Sequence, residues 1–443
     1  MPQLPSLNLN VGRRRTPQLV GLDIQPGYAA AVQASVNGSL RVERAAGAQI
    51  PGDAMREGEV LDEGTLAEAL RELFAQARLD KRVRVGVANQ RTVLRMLELP
   101  PLTDRKELDA AVRFQAADQM PMPLENAVLD YHALGIVDTP AGPRQRVAVV
   151  AAQRDMIERL LSAVRRAGLR PEAIDLSAFA LIRALHRSQP DGAQPGGSSE
   201  DGAGAPADVP ASRVLYLNVG GLTNMAIAEG TVCRFTRVVG GGLESISAAV
   251  AERQQIPLGE ARELVASVDL AHAPAAPQPT AQPAPAQDAE EQPVQEPAES
   301  DLQENGSEEP VDASAAREDV SEADASTEVE TASEAEALTE ALPPAQALLD
   351  VRAVLEGGVR EIAGEVRNSI DFHRMQEGGG EVSSVVLSGP ALAIAGFAQA
   401  LSSELGMDVR AQTVGFLGEA AGHVAPEHLA VAAGLAVEEA PGR

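Results

Sequence analysis

Tryptophan is absent, aromatic residues make up 2% of the 443, and lysine occurs only at Lys81 and Lys106. Without large rings the core has to come from Ala, Val and Leu, and a hydrophobic share of 44% is sufficient for that. Arginine supplies nearly all the positive charge. Beside the richness in alanine this reads as genome composition, so no nucleic-acid partner is expected. One cysteine, Cys233, excludes an internal disulfide framework and suits a reducing cytosol. No apolar run approaches the roughly 18–20 residues of a membrane span, so direct membrane insertion is not expected. The start, MPQLPSLNLNVGRRRTP, places its basic cluster after a weakly apolar stretch and has no hydrophobic segment of the secretory kind. Residues 1–18 are expected to be a flexible tail.

The formal charge of −27 is unevenly distributed. Residues 270–347 hold nineteen Asp/Glu against one Arg, a net −18, and 189–211 add −4, leaving −5 for everything else. The acidity belongs to two low-complexity segments that bury too little to order themselves. They are expected to be linkers, one at 189–211 and an acidic insert at 270–345.

What the chain does contain is a strand–turn–strand pattern that occurs twice, at Leu19–Val32 and at Val214–Ala228. Each copy has an apolar run, an Asp or Asn at its end (Asp23, Asn218), a glycine-bearing turn, then a second apolar run. The repeat predicts two related α/β lobes facing each other across a cleft, their turns approaching a phosphate chain from opposite sides. After the first copy a hairpin at Asn37-Gly38, a helix over Thr65–Ala77 and a strand over Arg82–Ala88 continue the first lobe, taken as 19–91. From residue 92 to 170 the order strand, helix (103–119), strand (127–135), strand (146–152), helix (155–167) predicts a small inserted α+β subdomain. A helix over Ile174–His186 returns to the first lobe, taken as 171–188. The second lobe is expected at 212–269 and 346–438, with helices near 243–253, 258–268, 346–372 and 391–405, and a tail at 439–443.

Four turns follow strands and could carry chemistry. Asp23 sits at the carboxyl end of its strand, the edge where α/β lobes bind ligands; it is either a carboxylate holding a metal ion or a turn-capping Asp. Gly220-Gly221-Leu222-Thr223 and Gly240-Gly241-Gly242 let backbone approach phosphate, and the second opens a helix; a plain turn is the alternative. Ser388-Gly389-Pro390 again lies between strand and helix. On helix 103–119, Leu108 and Val112 read as core packing.

These residues resemble the PilM family of type IV pilus assembly, within the FtsA/actin-like ATPase superfamily. The carriers are Gly21-Leu-Asp-Ile, Asn218-Val-Gly-Gly-Leu-Thr, Gly240-Gly-Gly, Glu365-Val-Arg-Asn-Ser-Ile-Asp-Phe and Leu387-Ser-Gly-Pro-Ala. The most specific is Leu97-Glu-Leu-Pro-Pro with Glu107-Leu, Ala111-Val-Arg-Phe-Gln and Met122-Pro. The resemblance implies a two-lobed actin-like (ribonuclease-H-like) ATPase fold with an inserted small subdomain of the FtsA/PilM kind. It implies ATP and Mg2+ as ligands, with Asp23 at the metal, and Asp23, Asn218, Gly220, Gly221, Thr223, Gly240, Gly241, Gly242, Glu365, Asn368, Ser388 and Gly389 around the nucleotide. It implies a groove beside the inserted subdomain that takes the cytoplasmic N-terminal tail of a PilN-like membrane protein, contacts to a pilus motor ATPase and platform protein, and residence at the inner face of the cytoplasmic membrane through those partners. The chain departs from the family at Gln25 and Pro390, where glycines are expected, and at Asn218, where Asp is expected. A carboxamide contributes no charge and cannot act as a base, so at most a weak ATPase and chiefly a scaffold is expected. An active ATPase and an FtsA-like division protein are the alternatives; the latter would be expected to end in an amphipathic membrane anchor, which is not expected of this C-terminal segment.

Overall fold

A computed structural model describes residues 19–37, 39–140, 142–187, 213–272, 344–376, 378–416 and 424–437. The expected tail at 1–18, the linker at 189–211, nearly all of the acidic insert at 270–345 and the tail at 439–443 lie outside the described residues.

The first sheet starts as a meander of β1 (Val20–Gln25), β2 (Tyr28–Asn37) and β3 (Ser39–Gln49), followed by a small hairpin, β4 (Met55–Arg56) with β5 (Glu59–Val60). Helix α1 (Glu63–Ala77) begins two residues before the expected Thr65, because the Asp62 side chain accepts hydrogen bonds from the Gly64 and Thr65 amides at 2.6 and 3.0 Å. Its apolar stripe, Leu66, Leu70, Leu73 and Phe74, is buried against the sheet. Strand β6 (Arg82–Val87) then pairs parallel with β1.

The inserted unit comprises β7 (Thr92–Leu99), α2 (Arg105–Gln119), β8 (Ala127–Thr139) and β9 (Gly142–Gln153). Its strands form an antiparallel sheet in the order β7-β9-β8. Asp104 caps α2 through the Lys106 and Glu107 amides, and Leu108, Val112 and Ala116 pack on Leu97, Leu99, Val147 and Val149 as a separate small core. The packing role expected of Leu108 and Val112 is what the structure shows. Helix α3 (Arg154–Arg166) differs from expectation: Met156, Ile157, Leu160 and Val164 enter the first-lobe core with α1 rather than the inserted core. Strand β10 (Arg170–Leu176) pairs parallel with β6, so Ile174–Leu176 are strand and not the start of the predicted helix; α4 (Ser177–Arg187) begins only after them.

The second sheet repeats the plan with β11 (Arg213–Val219), β12 (Thr223–Glu229) and β13 (Val232–Val239) as its meander. Helices α5 (Leu243–Gln254), α6 (Leu258–Ser267) and α7 (Pro344–Met375) follow, then β14 (Val382–Ser388), α8 (Phe397–Leu405) and β15 (Val409–Ala411). The expected helix 391–405 is interrupted. Pro390–Ala393 form a single 3-10 turn, and Gly396, at φ 80°, resets the backbone before α8. The sheet orders are β10-β6-β1-β2-β3-β16 and β13-β12-β11-β14-β15, where β16 is Gly415–Phe416. In both, the first strand pairs antiparallel with the second and parallel with the strand on its other side. The repeat at Leu19 and Val214 is therefore a structural duplication.

The C-terminal segment does not stay in the second lobe, as the boundary at 438 would require. Strand β16 pairs parallel with β3, and α9 (Ala430–Ala436) is buried on all sides against β1 and α4. A Cβ on Gly21 would lie 1.9 Å from the Ala432 carbonyl, and one on Gly434 1.9 Å from the Ala180 carbonyl. Such close backbone approach is available only to glycine. Arg84 Nη1 caps the helix end at the Leu435 and Val437 carbonyls. Helix α4 also touches the second sheet, so α4, α9, Tyr216, Ala226 and Val386 share one apolar core that joins the lobes. Among the described residues no helix is long and apolar enough to cross a membrane.

Candidate functional site

The carboxyl edges of the two sheets face each other, and the four predicted turns meet there. In the first lobe, Pro26-Gly27 reverses the chain between Gln25 and Tyr28, with Gly27 at φ 80°. Pro26 has a fixed φ and no N–H, so this turn offers one donor fewer than other turns. Asp23 is 3% exposed, and Gln25 Nε2 donates to its Oδ2 at 2.7 Å. Burial disfavours the charged carboxylate and raises its pKa from 3.8 to about 6, against a smaller lowering by the Gln25 bond. A Cβ at Gly86 would lie 2.9 Å from Ser177 Oγ and 3.6 Å from Asp23 Oδ1, so the ends of β1 and β6 and the start of α4 close on one another.

In the second lobe Asn218 is paired across the sheet with Asn224 on one side and Ser388 on the other. All three are buried. Gly220 N donates to the Leu222 carbonyl at 2.9 Å, and Leu243 N, the first amide of α5, donates to the Gly220 carbonyl at 2.7 Å. The Gly240–Gly242 segment is thereby pinned on the Gly220–Leu222 turn: a Cβ on Gly242 would lie 2.7 Å from the carbonyls of both Gly220 and Gly221. Gly389, at φ 102°, tucks under the same place, its Cβ position 2.9 Å from Asn218 Oδ1.

Between the lobes the turns touch directly. A Cβ on Gly220 would lie 2.4 Å from Gln25 Oε1 and 3.3 Å from Pro390 Cδ, and one on Gly221 would lie 2.0 Å from the Pro26 carbonyl oxygen. Gly27 faces Glu244 Oε2, and Glu244 is paired with Arg262. Thr223 Oγ1, Ser388 Oγ, Ser177 Oγ and both polar atoms of Asn224 are buried without a protein hydrogen-bond partner. A shallow recess with room for little more than a water molecule is lined by Asn89, Thr92, Leu176, Asn224 and Arg237 among others.

A family model described as type IV pilus assembly protein PilM matches residues 21–197. Residues 21–197 are PilM-like. The match runs from β1 through the inserted unit to α4 and into the segment beyond it. Among solved structures, a PilM-PilN type IV pilus biogenesis complex matches at 21% identity and a TM-score of 0.62, covering 95% of this chain and 97% of that one. The ethanolamine utilization protein EutJ of Carboxydothermus hydrogenoformans matches at 13% and 0.43 (95% and 89% covered). MreB5 of Spiroplasma citri bound to ADP matches at 9% and 0.42 (95% and 95% covered). The matched chain of the first complex shares this fold, a two-lobed actin-like architecture.

The structure brings Asp23, Asn218, Gly220, Gly221, Thr223, Gly240–Gly242, Ser388 and Gly389 of the PilM-like pattern to one cleft. It does not bring Glu365 and Asn368 to those turns. Glu365 pairs with Arg237 of β13 at 2.8 Å, and Asn368 is exposed. Glu361, one helical turn earlier, is the α7 carboxylate that comes within 3.8 Å of the Gly241 Cβ position. Three features of the turns bear on a Mg2+–triphosphate. Of the two carboxylates at the first turn, Asp23 is engaged by Gln25 and Glu244 by Arg262. Among the described residues no group of three His, Cys, Asp or Glu side chains could hold a metal. Gln25 and Pro26 lie against Gly220 and Gly221 of the opposite turn. Asn224 and Glu244 escaped the sequence reading; the paired polar residues that open β12 and the position of Glu244 just after three glycines were the available signals.

Proposed function

We propose that the chain is a scaffold of a type IV pilus assembly complex that binds the cytoplasmic N-terminal tail of a PilN-like membrane protein. The observation that carries this is the PilM family match over 21–197, which includes the whole inserted unit that sets this architecture apart from a plain two-lobed fold. The fold shared with a PilM-PilN complex supports the same reading. Through that partner the protein would sit at the inner face of the cytoplasmic membrane, and contacts to a pilus motor ATPase and platform protein belong to the same proposal. The nucleotide site is read as degenerate: Asn218 replaces an acid, and burial favours the neutral form of Asp23. Asn218 supplies neither a base nor a metal-binding charge.

The test is calorimetric titration of the purified protein with peptides from the N-termini of PilN-like proteins. One-to-one binding of at least one such peptide is expected; no binding by any of them refutes the reading. A parallel titration with Mg2+–ATP, repeated with Asp23→Ala, addresses the nucleotide. Tight binding lost in the variant, with turnover, would overturn the degenerate site.

A further inference from the structure

We propose that Gln25 is a built-in latch whose carboxamide bridges the two lobes where a phosphate chain would otherwise lie, so that the cleft is held closed without a ligand. The proposal rests on reading this cleft as a degenerate nucleotide site.

Four observations meet at this residue. Gln25 is 7% exposed although it ends a strand next to a turn. Its amide nitrogen is fixed on Asp23 Oδ2, which orients the side chain and leaves Oε1 to contact the opposite lobe. That oxygen lies 2.4 Å from where a Cβ on Gly220 would be, so Gly220 is small where the latch needs room. The next residue continues the seam: the Pro26 carbonyl occupies the corresponding position over Gly221, at 2.0 Å.

The electrostatics agree. A turn that cradles phosphate presents N–H groups. Here the first turn turns a side-chain carbonyl and a backbone carbonyl toward the second. Glu244 Oε2 and Arg262 Nη2 both lie against Gly27 and are paired with each other, so the guanidinium charge there is already matched. Oxygen atoms facing the gap disfavour an anion. Oxygens over glycine backbone can instead pack closely, which is the contact observed. Gln25 therefore does two jobs with one amide: it occupies Asp23 and it braces Gly220.

Hydrogen–deuterium exchange of the full chain tests this, reading the segment 218–223 with and without Mg2+–ATP. In the wild type the segment should exchange slowly and at the same rate in both conditions. In Gln25→Ala it should exchange about tenfold faster, while Val83–Val85 and Val385–Leu387 in the sheet centres stay unchanged. Gln25→Asn, one methylene shorter, keeps the amide but loses the reach to Gly220 and should open in the same way. Unchanged exchange at 218–223 in both variants overturns the latch, as does further protection of the wild-type segment by Mg2+–ATP. If Gln25→Ala loosens the sheet centres as well, Gln25→Asn decides between the same two outcomes. Peptide binding is measured separately on the wild type, so its failure strikes the pilus reading and leaves the latch result standing.

Discussion

Replacing Asp23 by Asn should stabilise the protein at neutral pH. Asp23 is almost fully buried, receives the Gln25 amide, and has its pKa raised from 3.8 to about 6, chiefly by desolvation. Between those two values the folded state holds a proton that the unfolded state has released, so stability falls as pH rises through the window. Above it the charged carboxylate carries the whole penalty, about 3 kcal/mol at 1.36 kcal/mol per pH unit. The amide of Asp23→Asn never ionises and can still accept from Gln25 through its oxygen. The variant should therefore be more stable than wild type by up to about 3 kcal/mol at pH 8, and the two should converge below about pH 4. Thermal melts at a series of pH values give the measurement, at about 2 °C per kcal/mol for a chain of this size. A variant less stable than wild type at pH 8, or a difference that does not shrink as pH falls, refutes the reasoning. Either result would mean that the folded protein stabilises the Asp23 charge.

Three further outcomes follow from packing. Gly21→Ala drives a methyl into the Ala432 carbonyl of α9, where backbone cannot yield; a loss of about 3 kcal/mol or more is expected in chemical denaturation, with early proteolysis at the C-terminal segment. Arg183→Met leaves Asp175 without its buried guanidinium partner and removes a donor to the Gly434 carbonyl, which should cost about 3 kcal/mol in the same assay. Cys233 is buried and its thiol is pushed up to about 12 by burial, so it should resist alkylation at pH 8 until the second lobe unfolds. Rapid labelling of the native protein would contradict that placement.

Much of the molecule could be read in advance where the signal is local. Asp104 before a stripe at Leu108 and Val112 marks a helix start in any context. Asp23 or Asn218 before a glycine turn between apolar runs marks a strand edge, and both copies occupy equivalent places in their sheets. The turns that meet between the lobes were legible for the same reason. The residues on α7 were not. Helical periodicity says which face of a helix is buried, but a one-turn difference between Glu361 and Glu365 in what each touches depends on how α7 lies over β13 and the glycines.

By itself the sequence determined the elements, the duplication and the polar composition of the cleft, because these follow from backbone preferences and from burial of one face of each element. Tertiary structure alone decided which core each element joins. Ala430–Ala436 is apolar all round and would suit any gap between two layers; Gly21 and Gly434 admit it to the first lobe. Met156 and Leu160 would suit either the inserted core or the one they enter. The contact between Gln25 and Gly220 belongs to the same class. Nothing within either segment specifies it, since it exists only when two sheets far apart in the chain bring their carboxyl edges together.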